Sequence, residues 1–485
     1  MTLAMLSAVA KEEGWQTKAL VNTFKKPLLV DDFVEEAKKY QPDIVGISML
    51  TFEVLFIYKI IKALKKAGFV VMVGGAHPTD CPEECLEAGA DIVIQGEGED
   101  ILREALRNPQ KRGIIPRKPF VDLSILPFPD LELFDVEQFR DKDGFVKGFH
   151  RIYTSRGCPG TCTFCDWQIF KQAWRPYPIS KIIEDIKRRV DKYGITSFSI
   201  ADDCFTVDEK RAYQFCEEIV KIKPRIVWRT NSRANLVNLE LLKAFKEANC
   251  HSIAFGLESG DKETLARIGK QVSLEQNIKA PWIAHEAGLE VYGCLMTGFP
   301  WETPKSVQNQ IDFVHKTWQA ISLYQVSGSL MPFPGAAIYR QYAKQFGFEK
   351  YWLKPEYQEF GIQVYQNAIN PLAASVFYQR YLFDDTYIRR EYFFKYTKEY
   401  KAKVRELVLE IGKHNLLFMF PNQPLKQKMI LGLSRLSMLG YDLFPELEMK
   451  IGGWLFEKFS RGKRSGIEYL RDKRRGISKH KIENI

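Results

Sequence analysis

The strongest constraint on the fold is the regular alternation of amphipathic helical patterns with short apolar runs. Between residues 1 and 110 this alternation predicts helices over 2–13, 31–40, 53–67 and 80–88, and strands over 18–22, 43–48, 70–74 and 91–95. Strands and helices that alternate in this way are typical of a parallel sheet with helices on both faces. We therefore predict an α/β protein whose first domain, residues 1–110, is a doubly wound sheet.

The start of this domain departs from that pattern. A doubly wound unit ordinarily begins with a strand at the centre of the sheet, whereas this chain begins in a helical pattern at residue 2. An unpaired buried strand edge would be costly, because its backbone groups would lack hydrogen-bond partners. One central strand is therefore expected to be missing. Either the true start lies upstream or the sheet is completed in an unusual way, and we favour the first.

The alternation resumes after a proline-rich linker, predicted over residues 111–150. Strands are predicted over 151–155, 197–201, 225–230, 252–257, 290–296 and 321–328, and the helices between them over 179–193, 207–221, 238–248, 273–287 and 303–317. These repeats indicate a partial (β/α)6 barrel over residues 151–332, a fold that carries its chemistry on the loops after the strands. Residues 333–485 are predicted to form a helical domain, rich in aromatic residues, that ends in a basic tail.

Three cysteines lie in the loop after the first barrel strand: Cys158, Cys162 and Cys165. Three thiolates on one loop can hold a cube of iron and sulfur and leave one iron without a protein ligand. A structural zinc site would need a fourth Cys or His, and none follows the loop closely. We interpret the other six cysteines, Cys81, Cys85, Cys204, Cys216, Cys250 and Cys294, as buried small apolar residues, with Cys204 nearest the predicted site.

The C-x3-C-x2-C spacing, with an aromatic residue before the last cysteine, resembles the radical S-adenosylmethionine superfamily. The runs VGGAHPT and QGEGED resemble the Rossmann-like cobalamin-binding domain that precedes the radical domain in the B12-dependent class. Together these similarities cover residues 1–335. They imply a [4Fe–4S] cluster, S-adenosylmethionine and cobalamin as cofactors, and a reductant such as flavodoxin or ferredoxin as a partner.

The resemblance also implies roles for particular barrel residues. Cys158, Cys162 and Cys165 would bind the cluster, whose free iron would chelate the methionine part of S-adenosylmethionine. Further cofactor contacts are implied at the ends of the strands, by Phe164, Asp202, Asp203, Arg233, Glu258 and Gly298. The two aspartates could instead cap the following helix. Likewise, Arg233, or Arg229 nearby, could simply pair with Glu258 to brace the barrel mouth.

Cobalamin contacts are implied at the strand ends of the first domain, by Ser48, Thr51, Gly74, Gly75, His77, Gly96, Glu97 and Gly98. Ligands of doubly wound sheets lie outside the carboxyl ends of the strands. The Asp-x-His-x-x-Gly signature that supplies a lower-face histidine to cobalt is absent. His77 is the only histidine at this face, and it is either a cobalt ligand or a hydrogen-bonded turn residue.

The leading functional prediction is a B12-dependent radical methyltransferase that acts on an unactivated carbon, or on phosphorus, of a small-molecule or lipid substrate. One alternative is a ring-forming enzyme of the anaerobic magnesium-protoporphyrin monomethyl ester cyclase type. That type also has a Trp-Arg-x-Tyr run after its cysteine loop, as in Trp174-Arg175-Pro176-Tyr177. A second alternative is a cobalamin-binding sensor with a vestigial cluster.

Composition and charge limit where such a protein acts. The net charge is +10, and a good share of it comes from the last stretch, residues 459–481. Such a tail is either solvated or in contact with an anionic membrane surface. We expect a cytoplasmic protein without a membrane span or signal peptide, and we find no nucleic-acid recognition motif.

Overall fold

The computed structural model describes residues 1–21, 28–136, 150–354, 394, 396–419 and 424. The chain divides into two compact units. The first comprises residues 1–195 and 332–359, and the second comprises residues 196–331 and 360–485. The predicted α/β class with parallel sheets is confirmed in both units.

A four-stranded parallel sheet forms the centre of the first unit. Its strands lie in chain order: Val45–Ser48, Val71–Gly74, Ile92–Ile94 and Gly113–Ile115. Because all four run in the same direction, their carboxyl ends lie at one edge, where Ser48 is the register partner of Gly74. The buried side chains of Met72, Ile92 and Ile94 pack against Ile101 and Ala105 to form the core on the sheet.

The first unit contains eight α-helices among the described residues: Thr2–Glu12, Val30–Tyr40, Val54–Lys66, Ala76–Asp80, Pro82–Glu87, Glu99–Arg107, Ile179–Tyr193 and Ala337–Phe346. Two short strands, Ser155–Arg156 and Arg175–Pro176, pair in antiparallel orientation on either side of the cysteine loop.

Four predictions for this unit need correction. Residues 18–21 of the predicted strand 18–22 have no regular structure, and residue 22 lies outside the described residues. The helix predicted over 80–88 is shorter, Pro82–Glu87, with proline in the first turn, where it fits, and a separate short helix, Ala76–Asp80, precedes it. The predicted linker contains the strand Gly113–Ile115, whose three residues are too few to give a periodic signal. The strand predicted over 151–155 is broken into Arg151–Ile152 and Ser155–Arg156.

The second unit contains five parallel strands that also lie in chain order: Ser197–Ile200, Val227–Ser232, Cys250–Glu258, Glu290–Thr297 and Leu323–Ser329. Its described helices are Glu209–Ile219, Leu239–Glu247, Lys262–Arg267, Leu274–Glu286, Pro304–Thr317 and Lys398–Met419. The predicted strands and helices between residues 197 and 328 all form, with ends that differ by one or two residues. The short helix Lys262–Arg267 and the 3-10 helices Phe205–Val207 and Ala234–Leu236 were not predicted in this stretch.

Polar residues fix where several of these helices begin. Asp208 accepts a hydrogen bond from the backbone of Arg211 and caps the helix Glu209–Ile219. Thr303 caps Pro304–Thr317 in the same way, through the backbone N–H of Ser306. Such caps satisfy the backbone donors that the first turn of a helix leaves without intrahelical partners.

The helix Lys398–Met419 covers the edge of the second sheet. Its Asn415 side chain accepts a hydrogen bond from the backbone N–H of Tyr324 at 3.0 Å and donates one to the carbonyl of Tyr324 at 2.8 Å. Tyr324 belongs to the last strand in the sheet order. One amide side chain therefore supplies the pair of hydrogen bonds that a neighbouring strand would otherwise supply.

Replacing Asn415 with alanine should destabilise the protein by about 2–3 kcal/mol, because two buried backbone groups lose these hydrogen bonds. Urea unfolding of the wild type and of Asn415→Ala measures the difference. His315→Gln is the matched control, since His315 contacts Glu410 of the same helix but is 53% exposed. An unfolding free energy of Asn415→Ala equal to that of the wild type would contradict a role for the amide at this edge.

None of the helices in the described part of the chain combines the length and the apolar character that crossing a membrane requires. Of the predicted C-terminal helical domain, residues 337–346 and 398–419 are helical. The aromatic segment 355–393 and the basic tail 459–481 lie outside the described residues.

Candidate active site

The cysteine loop begins at a glycine that no other residue can replace without a clash. Gly157 has a φ of +80°, and a β-carbon placed on it would lie 2.0 Å from the backbone oxygen of Ala173. The loop then turns at Cys162, whose carbonyl accepts a hydrogen bond from the N–H of Cys165 at 3.2 Å. The backbone N–H of Gly160 donates to the Sγ atom of Cys158 at 3.4 Å.

These features fit a cluster held by three thiolates. A backbone N–H aimed at a cysteine sulfur stabilises its negative charge, and hydrogen bonds to sulfur tune iron–sulfur clusters. Cys165 is exposed and Cys158 is half-buried, so two of the three sulfurs lie on accessible parts of the loop. No three His, Cys, Asp or Glu side chains within the described ranges are arranged to hold a single metal ion. A four-iron cluster does not require such convergence, because each of its cysteines binds a different iron.

Residues far along the chain brace this loop. The guanidinium of Arg117 donates to the carbonyls of Gln168 and Ile169. The backbone N–H of Ile338 donates to the carbonyl of Thr163 at 2.9 Å, at the start of the helix Ala337–Phe346. The loop is therefore fixed from two sides within the first unit.

Ion pairs also join the cysteine loop to the strand-end loop that contains Gly96, Glu97 and Gly98. Arg156, two residues before Cys158, contacts the carboxylate of Glu97 at 2.8 Å and that of Glu99 at 2.6 Å. The Glu97 side chain is thus directed towards arginines of the same unit.

The strand ends predicted to hold cobalamin present a mixed surface. Ser48 is exposed, and beside it Leu50 and Phe52 are 43% and 37% exposed. Gly75 has a φ of +115°, and a β-carbon there would lie 2.7 Å from the backbone oxygen of Met49. This edge therefore offers a hydroxyl, exposed apolar side chains, and two strand ends whose backbones lie close together. Such a surface fits a large and mostly apolar ring.

His77 is completely buried in a polar cluster. Its Nε2 atom lies 3.2 Å from both the hydroxyl of Tyr58 and a carboxylate oxygen of Glu84, and its Nδ1 atom lies 3.4 Å from the hydroxyl of Thr51. The indole N–H of Trp352 donates to the same oxygen of Glu84 at 3.0 Å. Coordination of cobalt by His77 would break these contacts, so the structure favours the hydrogen-bonded turn residue. The predicted contact by Thr51 faces the same difficulty, because its side chain is 2% exposed.

The carboxylate of Glu84 is at the centre of this cluster. Burial by itself raises the pKa of Glu84, but hydrogen bonds from His77, Tyr58 and Trp352 outweigh it and lower the pKa below its ordinary value. Burial raises the pKa of Tyr58, which therefore remains a hydrogen-bond donor. Through the hydrogen bond from Trp352 to Glu84, the cluster joins the first domain to the segment around Trp352.

In the second unit the two predicted aspartates differ in their surroundings. Asp202 is 2% exposed, whereas Asp203 is exposed. Burial lowers the pKa of the Arg211 guanidinium, and the nearby carboxylates of Asp202 and Asp208 oppose this shift. Because Asp208 already caps the following helix, the alternative role of Asp202 and Asp203 as its caps is not supported.

Glu258 pairs with a lysine that the sequence did not single out. Its carboxylate lies 2.8 Å from the ammonium of Lys270, and both side chains are nearly buried. Glu258 also has a φ of +60°, which is unusual for a residue with a β-carbon. Arg233 donates to the backbone carbonyl of Lys270, so these three residues form one group at the strand ends. Arg229 lies apart from this group along its strand and donates to the hydroxyl of Ser199.

The turn after the fifth strand is held by a buried carboxylate. The backbone N–H groups of Gly298 and Phe299 donate to one oxygen of Glu302, at 2.6 and 3.2 Å. The hydroxyl of Tyr400, from the helix Lys398–Met419, donates to the same oxygen at 2.6 Å. The Gly298 turn is therefore rigid, and Glu302 and Tyr400 are positioning residues that the sequence did not reveal. A carboxylate four residues after a strand-end glycine was the available signal.

The remaining cysteines mostly follow the prediction. Cys85, Cys204, Cys216 and Cys250 are buried, whereas Cys81 and Cys294 are half-buried. Burial raises the pKa of the Cys85 and Cys216 thiols to about 12, so both remain protonated at neutral pH.

Comparison with known proteins places two family models on the chain. The B12 binding domain matches residues 1–106, and the Radical SAM superfamily matches residues 152–314. An uncharacterized methyltransferase of Pyrococcus horikoshii is 31% identical over 363 residues, which are 70% of this chain and 77% of that protein.

Two further similarities concern a cyclase and a solved structure. The anaerobic magnesium-protoporphyrin IX monomethyl ester cyclase of Cereibacter sphaeroides is 26% identical over 63% of this chain and 54% of its own length. The solved structure of the cobalamin-dependent S-adenosylmethionine radical enzyme OxsB, with aqua-cobalamin and S-adenosylmethionine bound, superposes with a TM-score of 0.60. It covers 94% of this chain and 72% of its own at 17% identity, which supports the fold.

Proposed function

This chain belongs to the cobalamin-binding radical S-adenosylmethionine enzymes, and we propose that it is a methyltransferase acting on an unactivated carbon or phosphorus of its substrate. The observation that carries the proposal is the methyltransferase relative, 31% identical, of which this chain covers 77%. The family uses a [4Fe–4S] cluster, S-adenosylmethionine and cobalamin.

When bound, the reduced cluster supplies the electron that cleaves S-adenosylmethionine to a carbon radical, and cobalamin carries the methyl group. In this chain Cys158, Cys162 and Cys165 would hold the cluster. Gly157 sets the path of their loop, and the N–H of Gly160 stabilises the thiolate of Cys158.

The strand ends of the second unit would bind S-adenosylmethionine. Glu258 and Asp202 are buried carboxylates suited to a methionine ammonium, and Arg233 is suited to its carboxylate. The rigid turn at Gly298 would let the backbone approach the adenosine. Phe164 is half-buried next to Cys165 and would pack near the adenine.

The ring-forming alternative receives less support. The sequence argument for a cyclase was the run Trp174-Arg175-Pro176-Tyr177. In the structure, contacts within the protein give residues of this run a structural role. Arg175 pairs with Glu97 at 2.6 Å, and the hydroxyl of Tyr177 accepts from Arg156 at 3.0 Å. The cyclase relative also shares less identity with this chain than the methyltransferase does.

The test is anaerobic incubation of the reconstituted protein with cobalamin, a flavodoxin reductant, S-adenosylmethionine labelled in its methyl group, and a metabolite extract. We expect label in a product, together with both 5′-deoxyadenosine and S-adenosylhomocysteine. A fractionated extract with separate lipid and water-soluble pools would identify the substrate class, for which we propose a small molecule or a lipid.

Two controls make the result decisive. Label transfer should disappear without cobalamin and in Cys165→Ser, which removes a thiolate but not the loop. Formation of 5′-deoxyadenosine alone, with no labelled product, would favour a cyclase. An intact cluster that does not cleave S-adenosylmethionine would favour a sensor.

A further inference from the structure

Four charged side chains of the first unit form a closed group, which we call the Arg–Glu clamp: Glu97, Glu99, Arg156 and Arg175. Arg156 contacts Glu97 at 2.8 Å and Glu99 at 2.6 Å, and Arg175 contacts Glu97 at 2.6 Å. The clamp joins two segments that are nearly 60 residues apart in sequence, since Arg156 and Glu97 are separated by 59 positions.

The clamp is buried and balanced in charge. The carboxylates of Glu97 and Glu99 are 7% exposed, and the guanidiniums of Arg156 and Arg175 are 13% and 19% exposed. Two negative and two positive groups therefore cancel within a space that little water reaches. Buried charges need such pairing, because removing one partner leaves an uncompensated charge.

Additional hydrogen bonds fix the orientation of the clamp. Arg156 donates from Nε to the hydroxyl of Tyr177 at 3.0 Å, and Arg175 donates to the carbonyl of Val121 at 3.0 Å. The second oxygen of Glu97 accepts the backbone N–H of Val121 at 3.2 Å. The planar guanidinium groups thus have donors aimed in several fixed directions, which a lysine could not reproduce.

The position of the clamp in the sequence suggests its role. Glu97 and Glu99 flank Gly98 in a strand-end loop of the cobalamin-binding domain, and Arg156 lies two residues before the first cluster cysteine, Cys158. Arg175 lies on the strand that pairs with Ser155–Arg156. Any movement of one loop relative to the other would have to break buried ion pairs.

We propose that the Arg–Glu clamp holds the cysteine loop in a fixed position relative to the cobalamin-binding edge, so that Glu97 and Arg175 are positioning residues. This inference rests on the proposed function only in requiring that both cofactors bind. A misplacement of about 1 Å can reduce the rate of an enzymatic step by about 100-fold. A clamp that prevents such a displacement would therefore preserve the rate.

The test compares Glu97→Gln, Arg175→Gln and the double variant, each reconstituted with cluster and cobalamin. Iron content and bound cobalamin are measured first. The readout is the EPR signal of cob(II)alamin, whose relaxation is accelerated by the nearby reduced cluster to an extent that depends on their separation. The wild type should give one relaxation component, and the single variants several components or a slower one, at wild-type cofactor content.

A double-mutant cycle separates a positioning role from independent packing roles. If Arg175 acts through Glu97, the double variant should be no worse than either single variant. Additive effects, or relaxation equal to that of the wild type in both single variants, would overturn the proposal. If Glu97→Gln fails to assemble its cluster, Arg175→Lys, which keeps the charge, takes its place. Altered cob(II)alamin relaxation in Arg175→Lys would support the proposal, and wild-type relaxation would overturn it.

Arg107→Gln is the matched control. Arg107 pairs with Glu13 at 2.6 Å in the same unit, but it is 69% exposed and ends the helix Glu99–Arg107, eight residues beyond Glu99 of the clamp. Its replacement should leave the cob(II)alamin relaxation unchanged. A wild-type protein that does not retain both cofactors would refute the proposed function, and this is seen before any variant is made.

Discussion

Replacing Gly157 with alanine should reduce the cleavage of S-adenosylmethionine by about 100-fold, because the cysteine loop can no longer follow its path. The new β-carbon would lie 2.0 Å from the oxygen of Ala173 and 3.1 Å from the β-carbon of Phe170. The first of these atoms belongs to the backbone, so it cannot rotate away as a side chain could. The residue must also keep a φ of +80°, which disfavours any residue with a β-carbon.

Iron and sulfide content after anaerobic reconstitution, and the rate of 5′-deoxyadenosine formation, measure this effect. Gly194→Ala is the matched control, since Gly194 has a φ of +65° but nothing within 4 Å of its β-carbon position. That variant carries the backbone strain at a helix end, about 1 kcal/mol, without the clash. A Gly157→Ala protein with a full cluster and a wild-type cleavage rate would show that the loop tolerates the displacement.

Replacing Lys270 with methionine should destabilise the protein by about 3–5 kcal/mol, because it leaves the buried carboxylate of Glu258 without its cation. The two side chains are 6% and 11% exposed and lie 2.8 Å apart. Glu258 is fixed in a left-handed backbone conformation, so its side chain cannot easily turn towards water. Binding of S-adenosylmethionine should weaken as well, because the unpaired carboxylate no longer has a defined orientation.

Urea unfolding measures the loss of stability, and equilibrium binding of S-adenosylmethionine to the reconstituted protein measures the second effect. The double variant Lys270→Met/Glu258→Gln should regain most of the stability, since both charges are then absent, but not the binding. Lys192→Met is the control, because Lys192 and its partner Glu132 are exposed and contribute little. If the urea midpoint of Lys270→Met equals that of the wild type, another group must compensate the charge of Glu258.

The residues that sequence predicted correctly are those whose signal is local. Helical and strand periodicity fixed the elements between residues 197 and 328 to within one or two residues. The helix predicted over 179–193 is Ile179–Tyr193 in the structure. The spacing of Cys158, Cys162 and Cys165 predicts a cluster loop, which stays a prediction, within the stretch that the Radical SAM superfamily model matches. Short elements such as Gly113–Ile115 escaped because three residues cannot show a period.

The sequence was least informative about polar side chains that are buried. His77 looked like a candidate cobalt ligand because it lies at a strand end of the sheet, but its partners Tyr58, Glu84 and Trp352 come from three other segments. Glu97 looked like a cofactor contact for the same reason, and its carboxylate instead meets Arg156 and Arg175. A strand end locates an edge of the sheet, but it does not show where a long side chain points.

By itself the sequence determined the two parallel sheets, the position of the cysteine loop and the class of chemistry, because these depend on periodicity and on spacing within short segments. Only the tertiary structure decided which charges meet: Glu258 with Lys270, and Glu97 with both arginines of the clamp. The physical reason is that a buried charge must be paired, and the fold, which brings distant segments together, supplies the partner.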